Sequence, residues 1–247
     1  MYGMAFAAYY NQNLNYFSET AAKLLYDALK GRESKEILDV CCGTGKLGHY
    51  FLSRGFKVHG IDLSNDMLHY ARKINQAYID SGDAIFEQMD VTSMNLDQTY
   101  PIVISTFDAL NHLNNREQLN KCFKNVYRFT QEGGIFIFDL NTYHGLSKAS
   151  GSTIQEYKGQ MHITKNHFDF VERKGSTRYY GYLPTKKEDL YVRYDETITN
   201  TVFAMNDVAD LLFKCGWSNV SFHSMEDLEK EITEPEKEDR VYVMAKK

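Results

Sequence analysis

No stretch of this 247-residue sequence stays apolar for the ~20 residues that a helix needs to cross a bilayer, so no membrane partner is expected. The opening MYGMAFAAYYNQN lacks the basic start and long apolar centre of a secretory signal. Cysteine is scarce, with four residues in all: Cys41, Cys42, Cys122 and Cys215, and no C-x-x-C pair. Such spacing suits neither a disulfide framework nor a zinc site. It predicts reduced thiols, no bound metal and a cytoplasmic location. Positive charge is also short: 28 Lys and Arg stand against 33 Asp and Glu, a net −5. A partner gripped through phosphates is disfavoured by that balance, so no nucleic acid is expected. Internal repeats and low-complexity linkers are missing as well.

Aromatic residues are plentiful, with 18 Tyr and 15 Phe. The tyrosines gather at the N-terminus and between positions 157 and 194, which fits a β-surface with one wet face or an aromatic-lined pocket. Apolar residues Ala21, Leu24, Leu25 and Ala28 fall at helical spacing over 18–30, and Gly31 ends that helix. EILDVC, KVHGID, AIFEQMD, PIVIST and GGIFIFDL read as strands. Helices are predicted over 43–54, over SNDMLHYARKINQAY with Ser64 or Asn65 as N-cap, and over 114–130. Alternating strands and helices imply βαβ units and a parallel sheet covered on both faces. After Asn141 the pattern becomes β-type alternation, read as three or four antiparallel strands with turns at Lys174-Gly175 and near Pro184. MNDVADLLFKCG returns to helix, and WSNVSFHSM and RVYVMAKK close the chain as an antiparallel pair.

The string EILDVCCGTGKLG contains Gly43-x-Gly45-x-x-Gly48, which taken literally is a dinucleotide fingerprint. The glycines let backbone approach a ligand, and the following helix presents free N–H groups. Asp39, four residues before Gly43 and inside the strand, argues against a pyrophosphate there and favours an ammonium or sulfonium group. Asp62 ends the second strand, and Asp90 closes the third, where a carboxylate can read an adenine amino group. Gly48 is then a coincidental third glycine on a helix turn packed near the sheet.

LDVCCGTG, GIDLSNDML, QMDVT and STFDALNHL, in that order and spacing, resemble the class I S-adenosylmethionine-dependent methyltransferases of small-molecule type, from about Leu38 to Leu140 and again in the last strands. The resemblance implies an α/β fold: a Rossmann-like, doubly wound, mostly parallel seven-stranded sheet with an antiparallel edge strand, plus a small inserted antiparallel β-region. It implies S-adenosyl-L-methionine as cofactor and S-adenosyl-L-homocysteine as product. For the cofactor it marks Tyr16, Asp39, Cys41, Gly43, Thr44, Gly45, Asp62, Leu63, Met67, Asp90, Val91, Thr106 and Phe107, with Asp62 on the ribose and Asp90 on the adenine. It also implies one methyltransferase domain over 1–247: a helical lid at 1–33, a core at 34–145 and 201–247, and inserted strands at 146–200 on the acceptor side.

Methyl transfer from a sulfonium needs alignment and exclusion of water more than it needs a nucleophile or metal. STFDALNHL leaves the fourth strand at the carboxyl edge of the sheet, where open α/β sheets bind ligands. Asp108, Asn111 and His112 would face the acceptor there. Asp108 is the candidate for holding an amine, and His112 is either a general base or a locally bonded turn residue. The partner expected is therefore a small molecule methylated on an amine or hydroxyl, and the chain a monomer or homodimer. A macromolecular methyltransferase and a non-catalytic donor-binding protein are the alternatives. The first is weakened by the acidic balance and by the lack of an Asn-Pro-Pro-aromatic sequence after the fourth strand.

Overall fold

Leu38, Val103, Phe136, Phe138 and Val243 are fully buried, and so are Ile37, Ile102, Ile104 and Ile137 on the neighbouring positions. Adjacent strand residues point to opposite faces, so such runs require a sheet covered twice. A computed structural model, which describes residues 2–14, 16–157, 159–185, 187 and 189–247, shows that arrangement. Two helices, α1 (Met4–Asn13) and α2 (Tyr16–Leu29), precede β1 (Glu36–Val40). Then come α3 (Lys46–Leu52), β2 (Lys57–Asp62), α4 (Asn65–Ile74), α5 (Gln76–Asp80), β3 (Ala84–Gln88), β4 (Tyr100–Ser105), α6 (Arg116–Phe129) and β5 (Thr130–Asn141). Helix α7 (Tyr143–Lys148) leads to β6 (Gly151–Tyr157), β7 (Gln160–Asp169), β8 (Lys174–Pro184) and β9 (Tyr191–Thr201). The chain closes with α8 (Met205–Lys214), β10 (Ser218–His223) and β11 (Arg240–Lys246).

The main sheet has seven strands in the order β10-β11-β5-β4-β1-β2-β3. Strands β1 to β5 are mutually parallel, while β11 runs antiparallel to β5 and β10 antiparallel to β11. Register places Ile37 beside Ile102 and Leu38 beside Val103, and Val103 in turn beside Phe136. One face packs Leu38, Val103, Phe136 and Phe138 against Leu119, Phe123 and Val126 of α6 and Val208, Leu211 and Leu212 of α8. The other packs Ile37, Ile102, Ile104 and Ile137 against Ala21 and Leu25 of α2 and Leu47 and Phe51 of α3. Gly48 lies in α3, where a Cβ would come 3.1 Å from Val58, so its smallness serves helix-to-sheet packing.

The remaining strands form a second, antiparallel sheet in the order β6-β7-β8-β9. Helix α1 lies on it: Phe6 and Tyr9 join Tyr179, Leu183 and Tyr194 of the sheet and Met67 of α4 in one cluster. Tyr9 stacks on Tyr194 with ring centroids 4.8 Å apart.

Two expectations are corrected. The first helix does not begin at Ser18: Tyr9 and Tyr10 lie in a helix of their own, α1, and α2 begins at Tyr16. Apolar and aromatic residues surround α1 because its partners are the inserted sheet and α4 at once, so no single stripe marks it in the sequence. The β7–β8 turn spans residues 170–173, not Lys174-Gly175, because Asp169 accepts from the backbone N–H of both Val171 and Glu172 at 2.9 Å and closes the turn early. Gly175 instead lies within β8, where a Cβ would meet Leu146 at 3.2 Å. No helix of the described residues is long and apolar enough to cross a membrane.

Candidate active site

Five parallel strands end on the same side, and the loops that leave β1, β2, β3, β4 and β5 there hold most of the residues singled out above. The turn after β1 is built from left-handed backbone at Cys41, Gly43 and Gly45, with φ of 60°, 54° and 70°. At Gly45 a Cβ would stand 2.8 Å from that of Ala71, so only glycine lets the loop press on α4. At Gly43 a Cβ would meet nothing within 4 Å. Thr44 is buried beside them.

Asp39 sits in β1 with 1% of its surface exposed, and its Oδ2 has no hydrogen-bond partner among the described residues. Burial, with Asp62 nearby, pushes its carboxyl up to about 8. Ser105 Oγ, at the end of β4, is likewise buried and unpartnered. A cation with N–H groups placed here would satisfy Asp39, whereas an anion would not. Asp62 accepts from the backbone N–H of Gly43 and of Ser64, each at 2.8 Å. It thereby pins the glycine loop, and a carboxylate has about four acceptor positions, so two remain for ligand hydroxyls. Burial raises its carboxyl while those two N–H groups oppose the shift. Asp90 is exposed and closes its own turn, accepting from Thr92 N and Oγ1 at 2.8 Å. Leu63 is half exposed beside Asp62. Met67 is buried under α1, and Val91 is buried in the core face toward α6. Tyr16 opens α2, and its side chain lies outside the described residues.

After β4, half-buried Thr106 leads into Phe107 and Asp108, which are successive non-glycine residues in left-handed backbone, with φ of 68° and 47°. Such strain persists only where surroundings fix it. Asp139, at the end of β5, accepts from both of their N–H groups, at 2.7 and 2.8 Å. Arg240, at the start of β11, donates its Nε to Asp139 at 2.5 Å and lies 3.2 Å from Asp108. The guanidinium also rides over the rings of Phe17 and Phe107, at 4.2 and 5.6 Å, the geometry of a cation–π contact. Asn200 of β9 donates to the other oxygen of Asp108 at 2.6 Å.

His112 ends a 3-10 turn (Ala109–His112), with Tyr2 Oη 3.4 Å from its Nδ1. Burial holds its imidazole below the ordinary histidine value, with Arg240 adding to the shift and Asp108 opposing it, so the ring is neutral at pH 7. Asn111 does not face a ligand. It is fully buried, donating to the carbonyls of Asn141 and Thr201 and accepting from Asn141 N. It therefore ties the turn to the ends of β5 and β9. Asn141 enters this tie through its backbone. His144 lies 3.0 Å from Asp239 on the surface.

The N-terminal segment reaches both parts of the site. Lys46 donates to Asn11 O, Ser64 Oγ to Tyr2 O at 3.3 Å, and Gly3 N to Glu196 of β9 at 3.0 Å. Tyr10 and Phe17 contact the Phe107 ring at 5.7 and 5.0 Å. Asp139, Asn200, Glu196 and Arg240 are the site residues that sequence reasoning misses. Their signals are weak, an acid ending β5 and a base opening β11, because each acts through a contact at least 31 residues away.

A family model described as a methyltransferase domain matches residues 37–134. The putative methyltransferase YqeM of Bacillus subtilis is 27% identical over 75% of this chain and 74% of its own length. The dTDP-3-amino-3,4,6-trideoxy-alpha-D-glucopyranose N,N-dimethyltransferase of Streptomyces venezuelae is 28% identical over 53% of each chain, so the match spans about half of that relative. Among solved structures, an S-adenosylmethionine-dependent methyltransferase from Clostridium acetobutylicum superposes with a TM-score of 0.81 at 20% identity, covering 98% of this chain and 97% of that one. At such identity the agreement speaks to the fold.

Proposed function

We propose, from the premise that this chain is an S-adenosylmethionine-dependent methyltransferase of the class I fold, that it methylates the amine of a small, hydroxylated molecule. The observation that carries the reading is the group at the end of β4 and β5. There two carboxylates, Asp108 and Asp139, share one cation, Arg240, beside an imidazole that burial keeps neutral. The residual negative charge favours a cationic acceptor, and a neutral imidazole can take the proton that an ammonium must lose before its nitrogen is nucleophilic. The Streptomyces relative bears an amino sugar in its name, which supports an acceptor of that chemistry.

S-adenosylmethionine, when bound, supplies an electrophilic methyl group on a positively charged sulfur. The buried, unpartnered oxygen of Asp39 suits its ammonium, the open space at Gly43 suits its close approach, and in this reading Asp62 would take the ribose and Asp90 the adenine. Phe107, Phe17 and Tyr10 form an apolar wall that excludes water. His112 holds the acceptor's proton, and Asp139 fixes the turn that carries His112. The test is methyl incorporation from labelled donor into a panel of amino sugars, simple amines, sugar hydroxyls and phenols, followed by mass spectrometry. Transfer to amines, with hydroxyl compounds unreactive, is expected. Transfer confined to hydroxyls, or to RNA or protein added in parallel, would overturn the reading.

A further inference from the structure

Asn200 has an uneven hydrogen-bond balance. Its Nδ2 donates to Asp108 Oδ2 at 2.6 Å, which fixes which end of the amide faces the carboxylate, because a carboxylate only accepts. The other end, Oδ1, is buried and has no partner among the described residues. A buried carbonyl oxygen without a donor is destabilising, so its retention needs a reason. Its surroundings are not loose. Thr201, the next residue, has its carbonyl held by Asn111 at 3.0 Å, and Asn111 also grips the end of β5 through Asn141. Asp108, for its part, is held from the opposite side by Arg240 at 3.2 Å. Three separate elements, the turn after β4, β5 and β9, therefore converge to hold one amide still with its acceptor atom unused.

We infer that Asn200 Oδ1 is the hydrogen-bond acceptor that recognises an N–H of the methyl acceptor, and that Asp108 acts mainly as the positioning residue that presents it. This deepens the amine reading above and rests on it. The arrangement divides the labour at the acceptor end. Asp108 has one oxygen facing Arg240 and the other taken by Asn200, so its contribution to the acceptor is a field. Asn200 offers the directional contact, and a neutral oxygen can follow the nitrogen through loss of its proton, since both ammonium and amine retain N–H groups. A site built to meet a buried N–H also rejects molecules that lack one, because the amide is then left unpaired. A tertiary amine, once it has given up its proton, leaves that oxygen without an N–H, so methylation would stop at the tertiary stage. The inserted sheet, through β9, thus supplies the discriminating group, while the strands of the parallel sheet hold the donor.

The experiment uses the full chain, a primary-amine acceptor found in the screen above, and two variants. Asn200→Leu keeps the approximate volume but removes both the donor and the acceptor. Asn200→Asp removes the donor to Asp108 but keeps an oxygen at the Oδ1 position. The acceptor KM should rise about tenfold or more in Asn200→Leu, the usual consequence of an unmet buried hydrogen bond. It should stay within about threefold of wild type in Asn200→Asp, which still offers an acceptor oxygen there. S-adenosylhomocysteine affinity should be unchanged in both, which reports an intact donor site. If Asn200 only orients Asp108, both variants lose the bond and both should suffer alike; that result overturns the inference, as does an unchanged KM in Asn200→Leu. A wild-type chain that methylates no amine removes the inference together with the reading beneath it. That failure shows in wild type, whereas failure of the inference alone shows only in the variants.

Discussion

A carboxyl group in a buried strand destabilises a chain until something binds it, and Asp39 is in that position. Its proton is held up to about 8, against an ordinary 3.8, so between these values the folded chain binds a proton that the unfolded chain releases. Stability therefore falls as pH rises from 3.8 toward 8. A neutral amide at this position would carry no such penalty. Asp39→Asn should therefore raise the unfolding midpoint at about pH 7 to 8 while changing it little at about pH 4. The same variant should bind S-adenosylhomocysteine at least about tenfold more weakly, as expected for loss of a buried charge-assisted bond. Calorimetric titration with paired thermal melts checks both, and a variant that binds normally would show that the orphaned oxygen does not meet the donor. His112 carries the complementary test. Turnover should rise with pH through an inflection below the ordinary histidine value of about 6.5, since burial lowers this group. His112→Ala should remove that limb and slow the rate by roughly 10²–10⁴, leaving donor affinity intact. A variant with full turnover and an unaltered profile would leave His112 as a turn residue only.

Among the elements, the strand-to-helix unit around the glycine loop is readable in the sequence because its determinants are local. Asp39, Gly43, Gly45 and Asp62 lie within 24 consecutive positions, and the apolar pair Ile37 and Leu38 already implies two covered faces. The turn after β4 is readable in place but not in construction. Nothing near Phe107 and Asp108 discloses that Asp139 and Arg240 hold their strained backbone, since those contacts depend on how β5 and β11 pair. Asn111 illustrates the limit: its position beside His112 suggests a ligand contact, yet three backbone bonds consume its amide. Helix α1 is hidden because its N-cap, Gly3, makes no side-chain bond and its buried residues face two partners. The glycines offer a contrast at this scale. Gly45→Ala should lower stability by about 2–3 kcal/mol, combining left-handed strain with a clash against α4. Gly43→Ala, with open space around it, should lose only about 1 kcal/mol yet weaken donor binding strongly. Chemical denaturation and donor titration separate the two, and equal stability losses would mean that the Gly43 region is filled.

For the whole molecule, the decisive arrangement is α1 lying between the glycine-loop side and the inserted sheet. Tyr2, Gly3 and Asn11 attach it to Ser64, Glu196 and Lys46. Those attachments belong to two different parts of the fold, since Lys46 opens α3 and Ser64 caps α4 beside the parallel sheet, whereas Glu196 lies in β9 of the second sheet. Nucleoside exchange is therefore expected to follow the unfastening of this helix instead of free diffusion. Spent donor should linger after the methylated product has gone, and the cycle should be ordered, with the nucleoside arriving first and departing last. Glu196→Ala releases one fastening without touching the glycine loop. It should speed S-adenosylhomocysteine dissociation by about tenfold, the scale of one charge-assisted bond, in a stopped-flow displacement measurement. A dissociation rate within about twofold of wild type would mean that the helix keeps no clock.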